Sequence, residues 1–124
     1  LILDSGAVIA LVRGDRTVRA ILLAAQDDGS EVIVPPAVLT QTVRGGPGDA
    51  RINQLLETVW VPFVGKRLAM AAGRLLHAAG ITDAADAQIM AEAIRSGPSV
   101  LLTSDPDDMI QLATGRSDVH IVRI

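Results

Sequence analysis

Five short, mainly aliphatic runs punctuate the chain: Leu1-Ile2-Leu3, Val32-Ile33-Val34, Val59-Trp60-Val61, Val100-Leu101-Leu102 and His120-Ile121-Val122. Runs of this length predict strands buried on both faces. Between them the apolar spacing becomes helical. Val18, Ile21, Leu22 and Ala25 fall at i, i+3, i+4 and i+7, on one helix face. The same test succeeds for Ile52, Leu55, Leu56 and Val59, and for Leu68, Ala71, Ala72, Leu75 and Ala79, whose opposite face carries Arg67 and Arg74. A further helix is predicted over 84–95, with Ala87, Met90, Ala91 and Ile94 on one side and Gln88, Glu92 and Arg95 on the other. Thr82-Asp83 signals its start and Gly97-Pro98 its end.

Strands that alternate with helices pair in parallel through right-handed crossovers, with helices on both sheet faces. The expected fold is therefore α/β, a three-layer α/β/α sandwich with a mainly parallel sheet of about five strands. Gly45-Gly46-Pro47-Gly48 is the one flexible stretch, and at four residues it is a loop between helices rather than a domain linker. Residues 1–124 are expected to form a single domain.

Composition supports that picture. The 124 residues are 49% hydrophobic but only 2% aromatic, so the core is built from Ala, Val, Ile and Leu, which suits helices packed closely on an aliphatic sheet. The absence of cysteine removes disulfides, zinc–thiolate sites and thiol nucleophiles together, and leaves oxygen or imidazole ligands for any metal. No apolar run approaches the roughly 18 residues of a membrane span, and no basic leader opens the chain, so a cytoplasmic protein with no membrane partner is expected. The net charge of −3 is no nucleic-acid footprint by itself. Ten of the eleven cations are nonetheless Arg, whose forked guanidinium suits phosphates or a partner's carboxylates.

In an open parallel sheet, ligands bind beyond the carboxyl ends of the strands. Asp4 follows the first run, and Asp105 follows Val100-Leu101-Leu102-Thr103-Ser104. Asp86 lies in the first turn of the helix leading into that later strand. Each has a structural explanation: Asp105 before Pro106 reads as a helix N-cap, and Asp83-x-x-Asp86 resembles a capping box. Jointly they carry more. Asp86 flanks the face that Met90 and Ile94 turn to the core, and Asp4 ends a buried strand, where an acid is costly unless paired, protonated or bound to a cation. Carboxylates clustered without Cys or nearby His suit Mg²⁺ or Mn²⁺. Such an ion can activate water against a phosphodiester.

Other chemistries find no support. His77 shares the polar face of its helix with Arg74, and His120 opens the last strand, so both read as structural. No nucleotide-binding glycine loop is present. Ser5, Thr103 and Ser104 lack a neighbouring His base, and fit better as hydroxyls that orient Asp4 and Asp105 or bind metal waters.

Leu1-Ile-Leu-Asp4-Ser5-Gly-Ala, Val34-Pro-Pro-Ala-Val-Leu-Thr-Gln41-Thr-Val-Arg44-Gly, Asp83-Ala-Ala-Asp86-Ala and Leu102-Thr-Ser-Asp105-Pro-Asp-Asp resemble, in order, the motifs of PIN-domain ribonucleases. More narrowly, the chain is similar to VapC-type toxins of bacterial toxin–antitoxin pairs, over nearly its whole length. The resemblance implies RNA cleavage with Mg²⁺ or Mn²⁺, a homodimer, and inhibition by a cognate VapB-type antitoxin. It assigns the acids to Asp4, Asp86 and Asp105, with Asp83 and Asp108 as secondary ligands. Arg44 is placed to pair with an acid of the site or with substrate phosphate. Gln41 departs from the pattern, standing where the family usually has Glu. An amide offers an oxygen but neither charge nor basicity. The expectation is one ion held by three carboxylates, with activity reduced or differently tuned.

Two other readings compete. One is a degenerate PIN domain that binds RNA or protein without cutting, and Gln41 is the feature that favours it. The other is a magnesium-binding receiver-like signalling domain, which would need an acid pair at the first strand, an Asp after a middle strand and a later Lys. Here the first strand ends in one Asp, Val61 is followed by Pro62, and the only Lys is Lys66.

Overall fold

The computed structural model describes all 124 residues. Three parallel strands form the sheet: β1 (Ile2–Leu3), β2 (Ser99–Thr103) and β3 (Val119–Arg123), in the order β1-β2-β3. Leu3 pairs with Leu102, and Leu101 with Ile121. The expectation of about five strands is corrected to three, with a physical qualification. The other two aliphatic runs join the same sheet through single parallel bridges, Ile2 to Ile33 and Ile33 to Trp60. Pro35 follows the second run and Pro62 the third, and proline supplies no N–H with which to extend a ladder.

Counting the bridged runs, the spatial order of the five runs by sequence number is 3-2-1-4-5. Such a sheet reverses direction between its first and fourth members, and the crevice at that switch point is where ligands bind. A receiver-like domain takes the order 2-1-3-4-5 instead, so the signalling alternative does not match this topology. Ile2, Leu3, Leu101 and Leu102 are all fully buried. Because successive strand side chains face opposite ways, both faces of the sheet are covered, as a three-layer sandwich requires.

Seven helices supply that cover: α1 (Ser5–Val12), α2 (Arg16–Asp27), α3 (Pro36–Thr42), α4 (Asp49–Leu56), α5 (Lys66–Ala79), α6 (Ala84–Arg95) and α7 (Pro106–Ala113). Periodicity predicts α2, α4, α5 and α6, although Val59 falls beyond α4, next to the bridge at Trp60. It does not reveal α1, whose sequence SGAVIALV is apolar on all sides, or the seven-residue α3. The polar face expected on α6 is also corrected. Residues Ile89 to Ala93 are buried without interruption, Glu92 included at 3% exposure. Helix α6 packs against α3, α5, α7 and β2, so no side of its middle reaches solvent. The Glu92 carboxylate is held by Arg95, whose guanidinium also donates to the Phe63 carbonyl.

Candidate metal centre

Asp4 lies where β1 passes directly into α1, at the switch point. As the N-cap of α1 its Oδ1 accepts from the Ala7 N–H at 2.8 Å, which satisfies one of the helix's free donors. Its Oδ2 accepts from the Ser104 N–H at 3.3 Å, across to the end of β2. The fully buried Thr103 supplies a third contact, a side-chain hydrogen bond to the Asp4 carboxylate. The same hydroxyl oxygen accepts the Asp105 N–H at 3.0 Å. One threonine therefore ties Asp4 to the turn that carries Asp105. Burial pushes the Asp4 carboxyl above its ordinary value, and these hydrogen bonds pull it part of the way back.

Asp86 enters from α6. Asp83 is the helix cap, its Oδ1 accepting the Asp86 N–H at 3.0 Å, so the capping explanation holds for Asp83 while the Asp86 carboxylate remains free. Its pKa is pushed up to about 6, first by burial and then by the charges of Asp83, Asp108, Asp105 and Asp4. Every acid singled out from the sequence thus acts on Asp86. Asp105 occupies the N-cap position of α7 but makes no side-chain capping bond, and it is exposed. Asp108 lies in the first turn of α7 and is half-buried.

None of these five carboxylates has a cationic partner, since the salt bridges of the chain join Arg95 to Glu92 and Arg116 to Asp118. Carboxylates gathered without a basic partner form a donor set suited to a hard divalent cation. Asp4, Asp83, Asp86, Asp105 and Asp108 supply only oxygen, as Mg²⁺ and Mn²⁺ prefer. No three His, Cys, Asp or Glu side chains stand in a closed coordinating group. The acids share one edge of the sheet without surrounding a single point.

The supporting residues divide. The Ser5 hydroxyl donates to the Gln41 side-chain oxygen, joining the start of α1 to α3 and bringing Gln41 to the rim of the acids. Gln41 is half-buried there. Arg44 does not join the group. It is exposed, its guanidinium donates to the Val43 carbonyl, and its N–H donates to Asp49. Nothing in the structure pairs it with an acid of the site. His77 and His120 are likewise exposed and make no contact with the acids.

Gly6 is a residue the sequence reading passed over. A Cβ on Gly6 would meet the side chain of Ser104 and lie 3.4 Å from Asp4 Oδ1. Its absence lets α1 close against the end of β2. Because α1 is not legible in the sequence, no local signal marks this glycine.

Solved structures share this fold, among them chains of two toxin–antitoxin complexes. VapBC2 from Rickettsia felis, bound to a DNA fragment from its promoter, contains a chain with TM-score 0.76 at 11% identity; the match covers 99% of this chain and 97% of that one. A toxin–antitoxin complex from Klebsiella pneumoniae contains another, with TM-score 0.74 at 18% identity, covering 99% of this chain and 98% of that one. Likeness over whole chains at such low identity establishes the PIN-like α/β/α fold that the motifs imply. No family model matches the sequence, and no curated protein does. No helix is long and apolar enough to cross a membrane.

Proposed function

We propose that the chain is a Mg²⁺- or Mn²⁺-dependent ribonuclease of the VapC type, the toxin of a toxin–antitoxin pair, which hydrolyses RNA phosphodiester bonds. The observation that carries this reading is the gathering of Asp4, Asp83, Asp86, Asp105 and Asp108 at the switch point of the sheet without a basic partner, where burial first and the four neighbouring charges second push the Asp86 carboxyl up to about 6. Bound there, a divalent ion would supply Lewis acidity and a lowered pKa for its coordinated water. The chain's own residues do the positioning. Asp4 is fixed by the Ala7 and Ser104 N–H groups and by Thr103, which orients its oxygens before any ligand arrives. Asp86 and Asp105 contribute free carboxylates, with Asp83 and Asp108 as the outer acids. Gln41 adds an amide where a fourth acid would strengthen the site.

The fold is shared with chains of toxin–antitoxin complexes, which supports a VapB-type antitoxin as the partner. A homodimer in the cytoplasm is proposed on the motif resemblance alone. Incubating purified protein with structured RNAs and Mn²⁺ tests the reading. Cleavage by the wild type that is lost in Asp4→Asn is the expected result. Identical behaviour of the two proteins would sink it in favour of a non-catalytic binding module, the reading that Gln41 favours because its side-chain oxygen is engaged by Ser5.

A further inference from the structure

A groove of about 590 Å³ opens beside the acids, between α1 and the carboxyl ends of β2 and β3. One wall is the face of α1 formed by Gly6, Ile9, Ala10 and Arg13, spaced i, i+3, i+4 and i+7. The facing wall holds Ser104 and Ile124, and Ile124 is held there by its N–H donating to the Thr103 carbonyl at 2.9 Å. At one end the groove reaches residues that flank Asp4. Gly6 and Ser104 both line it, and Ser104 donates its N–H to Asp4. Arg13 and Asp15 lie at the other end.

The two charges at that end are not equivalent. Asp15 caps α2, its Oδ1 accepting the Val18 N–H at 2.9 Å, so its carboxylate is engaged with the helix N-terminus. Arg13 forms no ion pair and its side chain makes no hydrogen bond within the chain. Seven residues of helix separate it from Gly6, about 10 Å along the axis. Helical side chains lean towards the N-terminus, which directs the guanidinium back along the groove towards the acids. The groove thus runs from the residues that hold Asp4, over an apolar floor, to an end with a free forked cation beside a carboxylate already engaged as a helix cap.

We infer that Arg13 holds a backbone phosphate of a single-stranded RNA lying in this groove, and so positions the strand whose scissile phosphate sits at the acids. The inference rests on the ribonuclease reading above. Arg is suited to phosphate because its parallel donors match two oxygens at once. The flat aliphatic floor of Ile9 and Ala10 tolerates any base, so the contact sets the register of the strand without reading its sequence.

The test measures binding of a short fluorescein-labelled, mixed-sequence RNA single strand to Asp4→Asn protein, which blocks cleavage, over a range of salt. Adding Arg13→Ala should weaken binding and make the plot of log K against log salt shallower by about 0.7, the loss of one phosphate contact on a single strand. Arg13→Lys should restore part of the affinity, and Arg74→Ala on the far helix α5 should change neither quantity. An unchanged slope in Arg13→Ala, or an equal loss in Arg74→Ala, overturns the inference and leaves the ribonuclease reading intact. Polyglutamate that displaces the RNA as well as unlabelled RNA does would assign the groove to an acidic protein segment and overturn it too. If the Asp4→Asn protein binds no RNA and the wild type cuts none, both readings fall.

Discussion

Gly6 and Ser104 approach so closely that the first cannot carry a side chain: a Cβ on Gly6 would lie 2.6 Å from the Ser104 Cβ. Their contact brings the start of α1 against the exit of β2, where the Ser104 N–H reaches Asp4. Gly6→Ala should therefore cost about 1–3 kcal/mol, as overpacking of a tight contact does. Combining it with Ser104→Gly should recover most of the loss. Urea denaturation of the single and double variants checks this, and equal stability of Gly6→Ala and wild type would refute it.

Asp86 makes stability depend on pH in a stated direction. Its folded pKa of about 6 lies above the ordinary 3.8, so between those values the native state keeps a proton that the unfolded chain has released. Stability from this group is greatest below that window and is lost as pH rises through it. Allowing for solvent screening of a half-exposed carboxylate, the loss is roughly 1 kcal/mol. In metal-free buffer, Asp86→Asn should melt above wild type at neutral pH, and the gap should close towards pH 4. Thermal melts across that range, with the two proteins side by side, measure it. A constant gap would show that burial and neighbouring charge do not act on this carboxylate as described.

Thr103 is expected to matter twice, because its hydroxyl serves both Asp4 and the Asp105 N–H. Thr103→Val keeps the shape but takes one of three hydrogen bonds from the buried Asp4 and removes the acceptor of the Asp105 N–H, at a cost of about 1–3 kcal/mol. RNA cleavage should fall further than stability alone explains, whereas Thr103→Ser should keep much of it. Cleavage rates measured well below the melting temperature of each variant separate the two effects.

Gln41→Glu should strengthen the site. The new carboxylate can still accept from the Ser5 hydroxyl, and it adds a negative charge at the rim of the acids. Mn²⁺ should bind more tightly by about 1 kcal/mol, the scale of one added charge in a wet site. Titration calorimetry gives the affinity and a cleavage assay the consequence. No change in either would mean that Gln41 stands too far from the ion to matter.

The five aliphatic runs and helices α2, α4, α5 and α6 were legible in the sequence because side-chain burial repeats with the backbone period. That period is local, and any stretch of a dozen residues displays it. The acids were legible for a related reason: each follows a strand or opens a helix, and strand ends are where a parallel sheet keeps its ligands. Local pattern goes no further. Helix α1 has no polar face to mark it, and Glu92 looks solvent-facing until α3, α5, α7 and β2 are seen to enclose its helix. Whether an aliphatic run becomes a ladder or a single bridge depends on N–H groups of its neighbours and on the prolines that follow it.

Asp4, Asp83, Asp86, Asp105 and Asp108 were named from sequence, but the field they exert on one another was not. Nor was the contact between Gly6 and Ser104, whose Asp4 hydrogen bond spans a hundred residues. Coulomb energy and steric exclusion depend on separation in space, and only the folded chain sets that separation. The sequence by itself determined which residues could bind a cation and roughly where along the strands they lie. The tertiary structure decided that they share one switch point, that burial and the neighbouring charges fall together on Asp86, and that the groove with Arg13 begins at the residues flanking Asp4.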